Sequence, residues 1–252
     1  MPRANRIFLP GHIWHITQRC HRRAFLLKVR QDRRRWLAWL FEARRRYGLC
    51  VLNYIVTRNH VHLMVRDRGE EEIAPSMQLV AGRTAQAFNE RKDRLGAFWQ
   101  DRYHATAIES DDHLRRCMTY IDLNMVRAGA VTHPAQWRES GYCEIQRLPR
   151  RYRIIDTAAL CRLVGCDTPE TLRHRVAEWV SDALGHDRIQ REPAWTEGLA
   201  VGGEAFLREF RHGLGPRASA RALIESNGVS CLREPRVAYD VKRVSEYTMR
   251  LP

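Results

Sequence analysis

Apolar residues along this chain recur at two spacings, and the spacings take turns. Residues 13–19, I-W-H-I-T-Q-R, follow the breaker Pro10-Gly11 and read as a strand. Gln31-Asp32 then opens a helix that runs to Tyr47, with Asp32 as its N-cap and Gly48 as its stop. Trp36, Leu40, Ala43 and Tyr47 keep helical spacing there, and Leu37 and Phe41 widen the stripe. Arg33 to Arg35 and Arg44 to Arg46 fall largely on the other side. Residues 51–57 and 60–66 are two more strands, near enough to pair as a hairpin. After an acidic loop, Pro75-Ser76 opens a second helix to about Lys92, with Met77, Val80, Thr84 and Phe88 on one side. Residues 98–108 read as a fourth strand, and Ser110-Asp111-Asp112 signals a third helix that Gly129 ends. The order βαββαβα predicts an α+β domain: a ferredoxin-like (split βαβ) antiparallel sheet with helices on one face.

Past Pro149 the texture turns helical. Residues 156–164 and 168–184 are the clearest segments, the latter carrying Leu172, Val176, Trp179, Val180 and Leu184, and a third follows Gly202-Gly203 over 204–211. From about Gly215 the pattern fades. The expected division is a main domain over 1–150, a helical extension over 151–214, and a tail over 215–252 that is a candidate for mobility.

Within residues 60–66 the side chains alternate, so His60, His62 and Met64 share one face and Val61, Leu63 and Val65 the other. The second face is purely aliphatic and reads as core. The first sets two imidazoles two residues apart, spaced so that both reach one cation. With 11 histidines in the chain one such pair arises readily by chance, and two polar residues on a half-exposed strand are the plain alternative. The third helix adds weight with M-T-Y-I-D-L-N-M-V-R-A-G. Tyr120 and Asn124 are four apart and lie one above the other, and Arg127 is seven from Tyr120 on the same face. A phenol with a pKa near the usual ~10 is a poor nucleophile without a cation or base beside it. A metal held by His60, His62 and the Asn124 side-chain oxygen would polarise a phosphodiester next to Tyr120. The alternative makes Tyr120 a packing aromatic and Asn124 a helix-end residue.

Y-I-V-T-R-N-H-V-H-L-M-V followed by Y-I-D-L-N-M-V-R-A-G resembles the REP-associated tyrosine transposases, a branch of the HUH single-strand DNA transposases in which Val61 takes the bulky hydrophobic position. W-H-I-T-Q-R and F-W-Q-D-R-Y-H-A-T extend the likeness over roughly residues 7–145. The resemblance implies His60, His62 and Asn124 as metal ligands, Tyr120 as the covalent nucleophile, and Mg²⁺ or Mn²⁺ as the cation. Softness alone would steer two imidazoles toward zinc; phosphoryl transfer suits a labile, oxygen-binding cation. The implied activity is a DNA transposase that nicks and rejoins single-stranded or hairpin DNA through a 5′-phosphotyrosine. Arg127, with Arg19, Arg58, Arg83 and Arg102, would hold phosphates, and Trp14 or Trp99 would stack unpaired bases. The chain departs from the family where Met125 replaces a proline, which should leave the third helix straighter, and where Cys20 replaces a glycine. W-R-E-S-G-Y is a loose match, and V-G-G-E-A-F a faint echo beyond residue 150.

Charge supports a polyanionic partner. The formal net charge is +14, and residues 1–150 hold 27 Lys and Arg against 15 Asp and Glu, so nearly all the excess sits there, mostly as arginine. Seven cysteines without a C-x-x-C pair point away from a disulfide framework or zinc ribbon. No segment reaches the roughly 18 apolar residues of a membrane span, and M-P-R-A-N-R lacks the apolar run of a signal peptide. A cytoplasmic monomer or homodimer, nucleoid-associated when bound to DNA, is the expectation. Two rivals stand: a non-catalytic nucleic-acid-binding protein on the same fold, and a zinc hydrolase, which would need a third strong ligand and a carboxylate base although H-E-x-x-H is absent. The charge pattern makes a prediction. Log affinity for single-stranded DNA should fall linearly with log salt, with a slope near about −0.7 per phosphate neutralised. A flat response in a fluorescence-anisotropy titration would remove the argument from charge.

Overall fold

The structure, a computed structural model, describes residues 9–186, 190–218, 221–226 and 228–233. The chain turns at Pro10-Gly11, with Gly11 at φ +84°, and enters β1 (Ile13–Arg19). Then come α1 (Arg30–Tyr47), β2 (Cys50–Val56), β3 (His60–Arg66), α2 (Ile73–Lys92), β4 (His104–Ile108) and α3 (Asp112–Asp122). These strands pair antiparallel in the order β2-β3-β1-β4. That is the split βαβ, ferredoxin-like arrangement expected from the pattern. β1 lies at its centre, and the register places Thr17 opposite His62, Arg19 opposite His60, and His15 between Met64 and Thr106. Residues directly opposite share a face, so His15, Thr17, Arg19, His60, His62, His104 and Thr106 all project to one side. Trp14, Ile16, Val61, Leu63 and Val65 project to the other and are completely buried or nearly so.

α1 and α2 are the two crossover helices and pack against each other. Trp36, Leu40 and Ala43 form the buried stripe of α1, as the spacing predicts. Its start differs: the helix begins at Arg30, and Asp32 is not a cap but a buried carboxylate that accepts from Arg91 of α2. Arg33 is also buried. It donates to Glu139 at 3.1 Å and to the carbonyls of Leu27 and Lys28, while Arg45 and Arg46 are tied to Glu42. The basic face of α1 is therefore largely occupied by contacts within the protein. β4 is shorter than the apolar run suggests, because residues 98–103 form a loop, tied to the end of β1 by Gln100 N donating to Arg19 O at 2.8 Å and just beyond it by a bridge between Cys20 and Trp99.

α3 stops at Asp122, and a separate turn, α4 (Asn124–Arg127), follows Leu123. Met125 in place of proline does not make the helix continuous. The Arg127 guanidinium donates to the Tyr120 carbonyl at 3.0 Å across the interruption. The outer edge of β2 is covered by the W-R-E-S-G-Y segment: Ile55 bridges Ser140, and Val56 N donates to Glu139 O at 3.0 Å. This leads into α5 (Gly141–Gln146), capped by Ser140.

The extension is more than helices. α6 (Thr157–Val164) and α7 (Pro169–Gly185) lie where the spacing puts them. α8 (Ala194–Glu197) follows, and β5 (Ala200–Val201) then pairs parallel with β4. After α9 (Glu204–Leu214), β6 (Ala222–Ser226) and β7 (Val229–Arg233) form a hairpin that completes a seven-stranded sheet among the described residues, in the order β2-β3-β1-β4-β5-β7-β6. Within the expected tail from 215, the described residues 215–218, 221–226 and 228–233 include this hairpin; the rest of it lies outside the described residues.

The close fit at the β2 edge generates a prediction. A Cβ added at Gly141 would stand 2.0 Å from Asn53 Oδ1 and 3.0 Å from Tyr54 N. Asn53 is fully buried at the bulge in β2, and its side chain is fixed by Tyr54 N and by Asp122. Gly141→Ala should destabilise the protein by about 1–3 kcal/mol. Urea unfolding should show a lower midpoint at unchanged slope.

Candidate active site on the histidine face

The register of β1 against β3 brings the candidate residues to one cleft of about 490 Å³. His60 and His62 line it from β3, Arg19 from β1, and Tyr120, Asn124 and Arg127 from α3 and α4. Leu114, Cys117, Met118 and Ile121 are the buried stripe that seats α3. Asn53 ties that helix to β2 by donating to Asp122 Oδ1 at 3.0 Å. Burial pushes the Asp122 carboxyl up to about 7 despite that bond.

Each imidazole is held by its Nδ1 side. His60 Nδ1 is 2.8 Å from Asn59 Oδ1 and 3.0 Å from Thr57 Oγ1. The Asn59 carbonyl oxygen accepts only, so the His60 proton sits on Nδ1 and Nε2 keeps its lone pair. His62 Nδ1 is 2.9 Å from His15 Nε2, and its Nε2 is 3.0 Å from Asn124 Nδ2. Burial, aided by Arg19, pulls His60 down to about 4; burial, then His60 and His15, put His62 well below the usual value. Both rings are neutral at neutral pH, the form in which imidazole binds a metal.

The Tyr120 ring stands 6.0 Å from His62, and the Arg127 guanidinium lies over it at 4.1 Å. Burial raises the phenol pKa, with Arg127 opposing that shift. The hydroxyl is therefore protonated at neutral pH, and its proton must leave during any attack.

These donors fit a divalent cation. Two neutral imidazoles, each with a lone pair on Nε2, and one amide are at hand; His62 Nε2 faces Asn124 Nδ2 at 3.0 Å, and the two ends of that amide are alike in shape, so a half-turn exchanges nitrogen for oxygen. No group of three or more His, Cys, Asp or Glu capable of holding a metal occurs among the described residues. The zinc-hydrolase alternative therefore lacks its third strong ligand there.

Of the arginines expected to hold phosphates, Arg19, Arg102 and Arg127 line the cleft. Arg58 and Arg83 do not. Arg58 lies 5.9 Å from the Trp137 ring, and Arg83 sits over Trp39 in a separate hollow with Tyr47 and Gln86. Trp14 is 1% exposed and packs on the face opposite the histidines, so it cannot stack on a base. Trp99 is half-buried, its indole donating to Ala81 O.

The cleft has residues the pattern did not single out. Arg191, Thr196 and Glu197 line it from the extension, with Arg191 donating to Glu197 at 3.0 Å. Thr106 Oγ1 donates to Gly198 O at 2.7 Å, and His104 Nε2 lies 2.8 Å from the same oxygen. His15, fully buried, joins His62 to the Trp195 carbonyl. Only the period-two rule applied to W-H-I-T could have put His15 on the histidine face.

With this geometry in view, comparison with known proteins is informative. Residues 9–124 match the family model for IS200-like transposases, a span holding Arg19, His60, His62, Tyr120 and Asn124. Over this segment the chain is similar to the IS200-like transposases. Among solved structures, a REP-associated tyrosine transposase bound to a REP hairpin aligns at 20% identity and TM-score 0.49, over 62% of this chain and 94% of that one. A putative transposase from Deinococcus radiodurans R1 aligns at 14% identity and TM-score 0.34, over 51% and 97%. No curated protein matches the chain. No helix among the described residues is long and apolar enough to cross a membrane.

The position of Arg127 gives a second prediction. Its planar group both covers the Tyr120 ring and donates to the Tyr120 carbonyl, which a point charge cannot do. Arg127→Lys should lower single-strand cleavage about tenfold or more through misplacement of the phenol. A wild-type rate in a cleavage time course would mean that charge alone is needed.

Proposed function

We propose that the protein nicks single-stranded DNA next to a hairpin and joins the ends anew, with Tyr120 as nucleophile. One observation carries this reading: Tyr120, His60, His62, Asn124 and Arg127 converge on one cleft from β3, α3 and α4. Tyr120 Oη attacks a phosphorus, the bond to the 3′ oxygen breaks, and the phenol proton is balanced by the one the released 3′-hydroxyl takes up. The product is a 5′-phosphotyrosine and a free 3′ end. A second 3′-hydroxyl reverses the exchange, so the phosphoester energy is kept and no nucleotide is hydrolysed. His60, His62 and the Asn124 oxygen would hold Mg²⁺ or Mn²⁺, which supplies positive charge to the phosphate oxygens. Arg127, Arg19 and Arg102 neutralise the strand and orient it.

All of these groups lie on one chain, and the working unit we propose is a monomer or a homodimer. A DNA substrate would be met in the cytoplasm, with the protein on the nucleoid when DNA is bound. A binding protein without chemistry is the competing reading, and a covalent adduct separates the two. Wild-type protein with a hairpin-flanked oligonucleotide and Mn²⁺ should give an adduct on a denaturing gel. Tyr120→Phe should give none while binding the hairpin within a few fold, because one hydroxyl and no charge is removed. His60→Ala should also give none, because a ligand of the cation is lost, while hairpin binding persists, since it rests on phosphate contacts rather than on the cation. Adduct formation by Tyr120→Phe at the wild-type rate would move the nucleophile elsewhere.

A further inference from the structure

We propose that His15 is a positioning residue: anchored by the Trp195 backbone carbonyl, it fixes His62 in the tautomer that turns its Nε2 lone pair to the cleft. The argument is a proton count along three groups. A carbonyl oxygen only accepts, and Trp195 O is 2.8 Å from His15 Nδ1, so that nitrogen carries the hydrogen. The neutral His15 ring then has an unprotonated Nε2. This atom is 2.9 Å from His62 Nδ1, and two bare nitrogens would repel at that distance, so His62 Nδ1 carries the next hydrogen. His62 Nε2 is left with its lone pair, facing Asn124 at 3.0 Å. The two rings lie nearly parallel, 13° apart, with centroids separated by 5.0 Å.

His15 is fully buried and touches neither the cleft nor any acid; its two nitrogens meet a carbonyl and an imidazole. Burial in such a place costs stability unless both nitrogens are satisfied, and here their satisfaction runs in one direction only. His60 obtains the same tautomer from its own turn, through Asn59 and Thr57. His62 has no such local partner and draws on a carbonyl 180 residues from His15. The Thr106 hydroxyl, whose single proton is nearer Gly198 O at 2.7 Å, also lies 3.2 Å from Trp195 O, so both carbonyls stand against β4. The extension thus acts on the site through its backbone, by way of a side chain in β1. The consequence for metal binding rests on the reading of His62 as a cation ligand; the tautomer itself does not.

Two measurements on the full chain test this separately. Long-range ¹⁵N–¹H NMR of histidine-labelled, metal-free protein reports which nitrogen of His62 is protonated. The expected result is Nδ1–H in wild type and in His15→Gln, whose side-chain oxygen can still accept, and a gain of Nε2–H in His15→Phe. An Nε2–H tautomer in the wild type overturns the proposal, with no variant needed, and so does unchanged Nδ1–H in a folded His15→Phe. Mn²⁺ titration followed by electron paramagnetic resonance should show binding weakened by about 10–100-fold in His15→Phe, the usual loss when an outer partner of a ligand is removed, and near wild type in His15→Gln. Equal weakening in both variants would assign His15 a packing role and overturn the proposal. If wild type binds no Mn²⁺ while the NMR result holds, the proton chain stands and the cation reading of the site fails.

Discussion

The register between β1 and β3 is the constraint on which everything else rests. Thr17 faces His62 and Arg19 faces His60 because Trp14, Ile16, Val61, Leu63 and Val65 all demand burial on the opposite side. A slip by one residue would turn that aliphatic set toward the cleft and sink the histidines into the core, so hydrophobic burial enforces the chemical geometry. β1 carries this burden from both sides, since β4 pairs with its other edge and adds Thr106 and His104 to the same face. The site is therefore held by a strand whose own candidate contribution to the chemistry is a single arginine.

The second requirement is a helix that comes down on that face and then breaks. Tyr120 reaches the cleft from α3 and Asn124 from the first position of α4, with Leu123 between them. Arg127 serves the break itself, donating to the carbonyl of the residue whose ring it covers. One cation thus stabilises a backbone irregularity and stands against the phenol, which ties helix geometry to the electrostatics of Tyr120.

Much of this could be read from the residues in order. The alternation H-V-H-L-M-V separates its two faces without any tertiary knowledge, and Y-I-D-L-N-M-V-R places three groups on one side of a helix. What could not be read depends on distant partners. Asp32 looks like an N-cap until Arg91 is brought against it, and Arg33 looks solvated until Glu139 meets it across 106 residues. Arg83 lies over Trp39, outside the cleft, a position set by how α1 and α2 pack. β5 is two residues long, too short for any periodicity, and exists because the edge of β4 offers unpaired backbone groups. The β6–β7 hairpin did have a local signal in Asn227-Gly228, the pair that favours a tight hairpin turn, with Gly228 at φ +66°.

The docking of α8 against β1 and β4 has a consequence in time. A ribosome that has made the first 150 residues has already made the tyrosine, both cleft histidines, the asparagine and the arginine beside them. The carbonyl that anchors His15, and the one that receives Thr106 and His104, do not yet exist. The cleft is thereby finished only when residues 195–198 emerge, and a fragment released before them carries His60, His62 and Tyr120 without the carbonyl that anchors His15.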